Sequence, residues 1–395
     1  MFDSLRNDFG VYRENPNLTY LDYAATTFMP DCVVNAWVDY NVKVGDSINR
    51  GSGVLADKAQ QYYQDSKKRI LKFFDADNYD LIYGKNATEC LNVIVNGLSG
   101  KLMRGDIILM SPYEHHSNLI PWRHIAKMCG AIIVQLPLLQ DGSIDYLFAQ
   151  KLDIERIKII TMTLVSNVNS NVLDLEKLDA IIRESNAYTI IDASQAVGHK
   201  KLSCKKIGAD VYIMSAHKMY GPKGIGAAII KKELIDELSP FLLGGGMVWN
   251  SMGKEIAWQP GVRKFEAGTI DVAGLVAWAT ACSYLNDLGM NTIQKIESDL
   301  GQYVLSKIEK DERINLIPHT SQNINMISFS VEGLHPHDLA EKMKNNQIEM
   351  RFGHLCAQNT IQMFGLTSVC RASWGIGCTR NDIDRFLTVL SESCL

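Results

Sequence analysis

Seven short apolar runs between residues 81 and 231 constrain the fold of this 395-residue chain more than any other feature. Longer segments separate most of the runs, and several have helical spacing, as in ECLNVIVNGL with apolar residues at 91, 94, 95 and 98. Strands that alternate with helices indicate a mostly parallel sheet with helices on both faces. The runs are LIYG (81–84), DIILM (106–110), AIIVQL (131–136), IKIITMTLV (157–165), YTIIDA (188–193), DVYIM (210–214) and GAAII (226–230). Only a glycine-rich turn joins the last two, which favours an antiparallel orientation for one of them.

A smaller α+β unit is predicted after Gly274. Helical patterns at 275–288, 293–309, 336–345 and 381–390 are interspersed with strand-like runs at 314–318, 324–331 and 348–352. We therefore predict an α/β fold with a large domain at 18–274, which contains a seven-stranded sheet, and a small α+β domain made of 1–17 and 275–395. The segment 244–268 joins the two regions without periodicity, and loops of that length are usually functional.

Composition excludes several classes of function. The net charge is −4 and no basic block occurs, so nucleic acid is not expected as a ligand. The first residues lack the apolar core of a signal peptide, and no apolar run reaches the ~18 residues that span a bilayer. We therefore expect a cytoplasmic protein without membrane contact. The nine cysteines are odd in number and form no C-x-x-C pair, so we expect neither a disulfide framework nor a metal site.

Polar residues follow the apolar runs at the sheet edge where open α/β folds bind ligands. The segment KNATE (85–89) opens a helix, and a helix start with the Thr88 hydroxyl is suited to phosphate. The other groups are His115 and His116, Ser166 and Asn167, Asp192 with Ser194 and Gln195, and Ser215 with His217 and Lys218.

Pyridoxal phosphate chemistry would use these groups together. A lysine amine, here Lys218, holds the aldehyde as a Schiff base. A carboxylate, here Asp192, keeps the pyridine nitrogen protonated so that the ring accepts electrons. The cofactor ring could stack against the ring of His115. Asn167 and Gln195 could donate to its 3-oxygen, and Thr88, Ser215 and His217 could donate to its phosphate.

Each motif taken alone has a plainer interpretation. HHSN is more often structural, DASQ is compatible with a helix cap, and GPKGIG is compatible with a tight turn. GPKGIG lacks the GK[ST] of a phosphate-binding Walker loop, and neither it nor KNATE has the glycines of a dinucleotide-binding fingerprint. The order of the motifs, each at the end of a predicted strand, carries the prediction.

Motifs along nearly the whole chain, from about residue 20 to 390, resemble the cysteine desulfurases, which are class V aminotransferase-like enzymes of pyridoxal phosphate fold type I. The resemblance is closest to the Suf-type group, since Cys356 lies 15 positions before Arg371 (371 − 356 = 15), as in a compact cysteine loop. The motifs are LDYAATT (21–27), NATE (86–89), EHHSNLIPW (114–122), VSNV (165–168), DASQAVGH (192–199), SAHKMYGPKGIG (215–226), GGG (244–246), RKFEAGT (263–269), RFGHLCAQ (351–358) and CRAS (370–373).

The resemblance implies a role for each site residue. Lys218, Cys356 and His115 would be catalytic, with Cys356 accepting sulfur as a persulfide. Arg371 would bind the substrate carboxylate, as suits a bidentate guanidinium, near Ala25, Asn167 and Arg351. The cofactor would contact Ala87, Thr88, His115, Asn167, Asp192, Gln195, Ser215, His217 and Lys218, with Thr269 from the other subunit of a homodimer.

Cys356 has two interpretations. Most of the other cysteines are expected to be small core residues. Cys356 follows a Gly-His turn and precedes polar residues, and Arg351 and His354 lie close in sequence, which favours a reactive thiolate. Cys370, beside Arg371, is expected to be structural.

Four positions depart from the usual pattern of the family: Asn49, Asn169 with Ser170, Leu355, and Ile270 with Asp271. All are expected near the substrate or near loops that meet a sulfur acceptor.

The favoured function is conversion of L-cysteine to L-alanine, with sulfur passed through Cys356 to a protein acceptor. The alternatives are a selenocysteine or cysteine-sulfinate lyase, another class V lyase or aminotransferase, and a degenerate sulfur-handling docking protein. The intact lysine, aspartate and arginine argue against the last of these.

Overall fold

A seven-stranded sheet forms the centre of the protein. The computed structural model describes residues 2–49, 51–252, 255–320 and 324–393. In chain order the strands are β1 (Thr19–Tyr20), β2 (Tyr79–Gly84), β3 (Ile107–Met110), β4 (Ile132–Gln135), β5 (Ile157–Thr163), β6 (Tyr188–Asp192), β7 (Val211–Ser215), β8 (Gly226–Lys231), β9 (Val248–Asn250), β10 (Ala257–Trp258), β11 (Ile314–Leu316), β12 (Met326–Val331), β13 (Ile348–Glu349), β14 (Arg351–Gly353) and β15 (Val369–Ser373).

The strand order in this sheet is β2-β8-β7-β6-β5-β3-β4. Strand β8 pairs antiparallel with both of its neighbours, and the other adjacent pairs are parallel. Each of the seven apolar runs supplies one strand, so the predicted fold is confirmed, including one reversed strand after the glycine-rich turn. The carboxyl ends of β5, β6 and β7 consequently lie side by side.

Helices cover both faces of this sheet, and others pack against the C-terminal part of the chain. They are α1 (Phe2–Leu5), α2 (Gly10–Glu14), α3 (Asp31–Lys43), α4 (Val54–Phe73), α5 (Ala87–Ser99), α6 (His116–Cys129), α7 (Leu175–Ser185), α8 (Cys204–Ile207), α9 (Lys232–Ile235), α10 (Val272–Leu288), α11 (Met290–Ile308), α12 (Pro336–Asn345), α13 (Gln358–Met363) and α14 (Arg380–Ser393).

Neighbouring residues of the central strands enter different cores because strand side chains alternate between faces. Ile108 and Ile190 join a buried cluster with α5 and α6, whereas Leu109 and Ile191 join the main cluster on the other face. The strands are therefore apolar on both sides, as a covered parallel sheet requires.

A second, antiparallel sheet has the order β11-β12-β15-β14 and is formed by the C-terminal part of the chain. The segment near the start of the chain pairs with this part: β1 runs parallel to β13, and Asp22 forms a bridge with Ser373. The division into domains at 18–274 and 275–395 stays a prediction, and its boundary falls inside α10.

The irregular segment 244–268 contains the short hairpin of β9 and β10 and a 3-10 helix at Gly261–Phe265. Trp249 is 74% exposed and Met252 is 94% exposed. Across the described residues, none of the helices combines the length and apolarity that crossing a bilayer would need.

Candidate active site

One cavity of about 370 Å³ gathers the residues that the sequence singled out. It lies at the carboxyl ends of the parallel strands, where the small sheet faces the large one. The predicted residues in its lining are Ala25, Ala87, Thr88, His115, Asn167, Asp192, Gln195, Ser215, His217, Lys218, Arg351, Cys356 and Arg371. Thr269 is exposed and does not line this cavity.

Lys218 ends the 3-10 helix that follows β7, and Asp192 is the last residue of the neighbouring strand β6. Burial lowers the pKa of Lys218, Asp192 raises it, and Arg371 lowers it further. Asp192 accepts a hydrogen bond from the Ser194 N–H at 3.0 Å, which fixes the carboxylate at the end of the strand. A buried amine with a lowered pKa is more readily available as a nucleophile.

His115 caps the N-terminus of α6. Its Nδ1 accepts from the Ser117 N–H at 3.1 Å and lies 2.7 Å from the Ser117 hydroxyl, so the orientation of the ring is fixed. Burial and the nearby Lys218 lower the pKa of His115 to about 4. The ring is therefore neutral at physiological pH and available for stacking.

Glu114 was not singled out from the sequence, although it lies in the quoted EHHSN motif. It is 1% exposed and accepts hydrogen bonds from Ser111, from the N–H and hydroxyl of Thr163 at 2.8 and 2.7 Å, and from Asn118 at 2.6 Å. Burial raises the pKa of Glu114 to about 7, and these donors oppose the rise. The carboxyl group ties β5 to α6 and so positions His115.

The start of α5 forms an anion seat. The Asn86 side chain accepts from the Glu89 N–H at 2.9 Å, and the Ser215 hydroxyl accepts from the Ala87 N–H at 2.7 Å. Thr88, which lies between Ala87 and Glu89 in the first turn of α5, lines the cavity. A free N–H at a helix N-terminus favours phosphate.

His217 lies in the same wall of the cavity. Its Nδ1 is 3.1 Å from the Thr26 hydroxyl. Burial, Lys218 and Lys223 lower its pKa to about 4, so it lines the cavity as a neutral imidazole.

Two arginines share one carboxylate on the opposite side of the cavity. Asp22 accepts from Arg371 Nη2 at 3.0 Å through Oδ1 and from Arg351 Nη2 at 2.7 Å through Oδ2. Arg371 Nη1 also donates to the backbone oxygen of Asn167 at 2.8 Å. Asp22 lies in the quoted LDYAATT motif, but no sequence pattern indicates its partners, which follow 329 and 349 positions later (351 − 22 and 371 − 22).

Three buried polar atoms at this cavity have no hydrogen-bond partner among the described residues: Asn167 Oδ1, Ser194 Oγ and Arg371 Nε. Buried polar atoms are normally paired, so a polar ligand is expected here. A buried amine, a carboxylate at a strand end and an anion seat together match the aldehyde, pyridine nitrogen and phosphate of pyridoxal phosphate. The residues present therefore fit that cofactor.

Cys356 is exposed and lies on the loop between β14 and α13. Leu355 and Cys356 have φ angles of 54° and 52°, in the left-handed region that side chains disfavour. Asn167 Nδ2 donates to the Leu355 oxygen at 2.9 Å. The eight cysteines of the described residues are free thiols, and Cys356 alone among these eight lines the cavity.

Among the positions that depart from the usual pattern of the family, Leu355 lines the cavity and belongs to the same buried cluster as Val168. Asn49 accepts a hydrogen bond from Arg263 at 3.2 Å and lines a different cavity. Asn169 donates to the Pro318 oxygen at 2.6 Å, which connects the large sheet to the C-terminal part of the chain. Ser170 donates to Asn325 Oδ1 at 3.1 Å in the C-terminal part of the chain, and Asp271 accepts from the Gly274 N–H at 2.8 Å as the cap of α10. The expectation that all lie near the substrate or near loops that meet a sulfur acceptor stays a prediction, and among them Leu355 lines the cavity.

Comparisons with known proteins give one consistent result. A family model described as "Aminotransferase class-V" matches residues 19–386. The probable cysteine desulfurase of Halalkalibacterium halodurans is 33% identical over 383 residues, which cover 95% of this chain and 93% of that protein. The cysteine desulfurase of Haloferax volcanii is 32% identical and is covered to 89%, with 95% of this chain aligned.

Solved structures agree. The apo cysteine desulfurase from Thermococcus onnurineus has a TM-score of 0.93 at 31% identity, with 99% of this chain and 97% of that chain covered. The Escherichia coli cysteine desulfurase CsdA, in an S-sulfonic acid form, has a TM-score of 0.91 at 26% identity, with coverage of 100% and 98%. A C-DES mutant with glycine covalently linked to its PLP cofactor has a TM-score of 0.83 at 18% identity, covers 98% and 99%, and shows the fold alone.

Proposed function

This chain belongs to the class V aminotransferase family and, within it, to the cysteine desulfurases, and we propose that it converts L-cysteine to L-alanine with pyridoxal phosphate as cofactor. The observation that carries the proposal is the meeting of Lys218, Arg371 and Cys356 in one cavity. A docking protein without activity would not need the Lys218 amine, a guanidinium such as that of Arg371 for a substrate carboxylate, and the Cys356 thiol around one cavity.

Pyridoxal phosphate, when bound, supplies an electron sink for bonds at the α-carbon of an amino acid. Its residues here would be Lys218 for the aldehyde, Asp192 for the pyridine nitrogen and His115 against the ring. Asn167 and Gln195 would serve the 3-oxygen, and the phosphate would lie against Ala87, Thr88, Ser215 and His217.

Arg371 binds the substrate carboxylate. Its Nε has no partner among the described residues and Arg371 is 3% exposed, so a carboxylate would meet a desolvated donor. Asp22 holds Arg371 on one side and Arg351 on the other, which leaves a defined edge of the guanidinium open. Ala25 lines the same end of the cavity.

Lys218 carries protons at the α-carbon. Its lowered pKa allows the amine to take a proton and to return it. The imidazoles of His115 and His217 are neutral at physiological pH because burial lowers the pKa of each, so they do not compete with Lys218 as acids.

Cys356 takes the sulfur. Its thiolate attacks the sulfur of L-cysteine, the carbon–sulfur bond breaks, and the electron pair of that bond remains with carbon, which is then protonated to give alanine. The product on the enzyme is a Cys356 persulfide, which passes its terminal sulfur to a protein acceptor. Selenocysteine fits the same steps.

The experiment is product analysis with Cys356→Ser. The variant should retain the cofactor and bind L-cysteine, because neither step uses the thiol, and alanine formation should fall by at least 100-fold. After one turnover of the wild type, alkylation and peptide mapping should find the extra sulfur on Cys356. A near-normal rate of alanine formation by the serine variant would mean that the thiol does not take the sulfur, and a lyase would then be the better assignment.

The protein is also proposed to be a cytoplasmic homodimer with shared active sites. Thr269 is exposed and outside the cavity of its own chain, which is compatible with a contact to the phosphate of a second subunit. Light scattering of the active protein tests this, and a fully active monomer would exclude it.

A further inference from the structure

The loop that carries Cys356 is held in a conformation that its own residues disfavour. Leu355 and Cys356 are consecutive, neither is glycine, and both have φ above 50°. Such residues remain in the left-handed region only when the surrounding structure fixes them. Contacts with other parts of the chain must therefore hold Leu355 and Cys356 in this conformation.

His116 makes two hydrogen bonds to the loop, one as a donor to Cys356 and one as an acceptor from Gln358. The His116 N–H donates to the Cys356 oxygen at 2.8 Å. The Gln358 N–H, two residues later, donates to His116 Nε2 at 3.3 Å. A third bond, from Asn167 to the Leu355 oxygen, holds the preceding residue.

The His116 side chain is outside the cavity lining, unlike its neighbours His115 and Ser117. Its ring lies 6.1 Å from the ring of His354, on the other side of the loop. An imidazole accepts a hydrogen bond only when it is neutral. Burial, then His354 and Arg123, lower the pKa of His116, which favours the accepting form.

We propose that His116 is a positioning residue for Cys356, because its main chain and its imidazole together hold the nucleophile loop against the start of α6. The proposal rests on the proposed role of Cys356 as sulfur acceptor. The same helix start presents His115 to the cofactor side, so α6 sets the distance between the ring-stacking residue and the thiol. Sulfur transfer is sensitive to that distance, since small misplacements of a reacting group cost large factors in rate.

The test compares three substitutions that leave the His116 N–H in place. His116→Ala removes the acceptor, and His116→Asn has a side chain too short to reach Gln358 and serves if the alanine variant does not fold. His116→Gln is the matched control, because its Oε1 lies near the position of Nε2 and accepts a hydrogen bond.

Hydrogen–deuterium exchange is measured first, on the protein freed of cofactor. In His116→Ala or His116→Asn, amides of the segment 356–360 should exchange about 3- to 10-fold faster, as expected for the loss of one hydrogen bond. The glutamine variant should stay within about twofold of the wild type. This readout does not depend on what Cys356 does chemically.

Steady-state kinetics of the loaded enzyme follow. The alanine variant should lose about 10-fold in kcat for alanine formation, with KM for L-cysteine and borohydride-trapped cofactor on Lys218 unchanged, and His116→Gln should recover most of the loss. The proposal is overturned if His116→Ala leaves amide exchange unchanged, or if exchange becomes faster while kcat stays the same. It is also overturned if His116→Gln behaves like His116→Ala. Failure of the proposed function is seen separately, in the product analysis of Cys356→Ser.

Discussion

Two regions line the same cavity, and different interactions hold them in place. One is the wall formed by the ends of the large-sheet strands, and the other is the loop that carries Cys356. Asp192 and Ser215 are the last residues of adjacent parallel strands, so sheet pairing places them. Cys356 extends from a small antiparallel sheet in a left-handed conformation, and hydrogen bonds from Asn167 and His116 place it. The first region depends on topology, whereas the second depends on a few side chains.

The largest effect is expected in the sheet-built wall, at Lys218. Lys218→Ala removes the only amine that lines the cavity among the described residues, so covalent attachment of the cofactor and activity should fall by at least 1000-fold. Non-covalent binding should persist through Asp192 and the start of α5. Borohydride reduction followed by peptide mapping should place the pyridoxyl group on Lys218 in the wild type.

Lys223 is the matched control, because it lies in the same glycine-rich turn but outside the cavity lining. Lys223→Ala should retain the cofactor and most of the activity. A pyridoxyl label on Lys223 would show that the assignment of Lys218 is wrong.

This difference between the two regions explains which site residues could be predicted from the sequence. The seven apolar runs predicted every strand of the large sheet, and the rule that ligands bind at carboxyl strand ends then brought Thr88, His115, Asp192 and Lys218 to one edge. Those positions depend on hydrophobic periodicity and chain order, which are local signals. In the small sheet, β11, β12 and β14 fall on predicted strand-like runs, whereas β15 and the register of the strands were not predicted.

Asp22 and Glu114 were missed for a physical reason. Each contacts partners far away in the chain: Asp22 pairs with two arginines of the small sheet, and Glu114 connects β5 to α6. No local period signals such contacts. The same holds for the left-handed pair at Leu355 and Cys356, since neither residue type favours that conformation and the hydrogen bonds that impose it come from residues 116 and 167.

The second prediction compares two arginines that share Asp22. Arg371 is 3% exposed, and its loss from a desolvated site should cost about 2–5 kcal/mol of binding, or at least about 30-fold in KM for L-cysteine. Arg351 has a half-exposed side chain, so Arg351→Ala should raise KM by less than about 10-fold. Arg371→Lys should not restore KM, because an ammonium lacks the guanidinium fork. Equal effects of the two alanine variants would contradict the assignment of Arg371 as the main clamp.

The third prediction concerns Asp22, the carboxylate that Arg371 and Arg351 share. Asp22→Asn keeps the shape but leaves two guanidinium groups without their shared counter-ion, so the free energy of unfolding should fall by about 1–3 kcal/mol and KM should rise by about 10-fold. Urea unfolding and steady-state kinetics measure the two effects. In an Arg351→Ala background the loss of stability should be smaller, because one of the two repelling charges is gone, and additivity of the two substitutions would exclude the shared contact.

The smallest changes in stability are expected at two cysteines, Cys370 and Cys356, which should differ in their effect on activity. Cys370 is 1% exposed in β15, and burial raises its pKa to about 12, so its thiol is inert. Cys370→Ala should cost about 1–2 kcal/mol of stability and leave the activity within about twofold. Cys356→Ala should do the reverse, with a change in stability below about 0.5 kcal/mol and no measurable alanine formation.

Cys356→Gly completes the comparison, since glycine adopts a positive φ without the steric cost that a side chain carries. At a φ of 52° the glycine variant should be more stable than Cys356→Ala by about 0.5–1 kcal/mol, measured by urea unfolding of the cofactor-free protein. The gain is less than the full left-handed cost because glycine also loses more entropy on folding. At Cys370, which lies in a regular strand, glycine should instead be less stable than alanine. If glycine destabilises both positions alike, the loop is not under the backbone strain that His116 and Asn167 are inferred to hold.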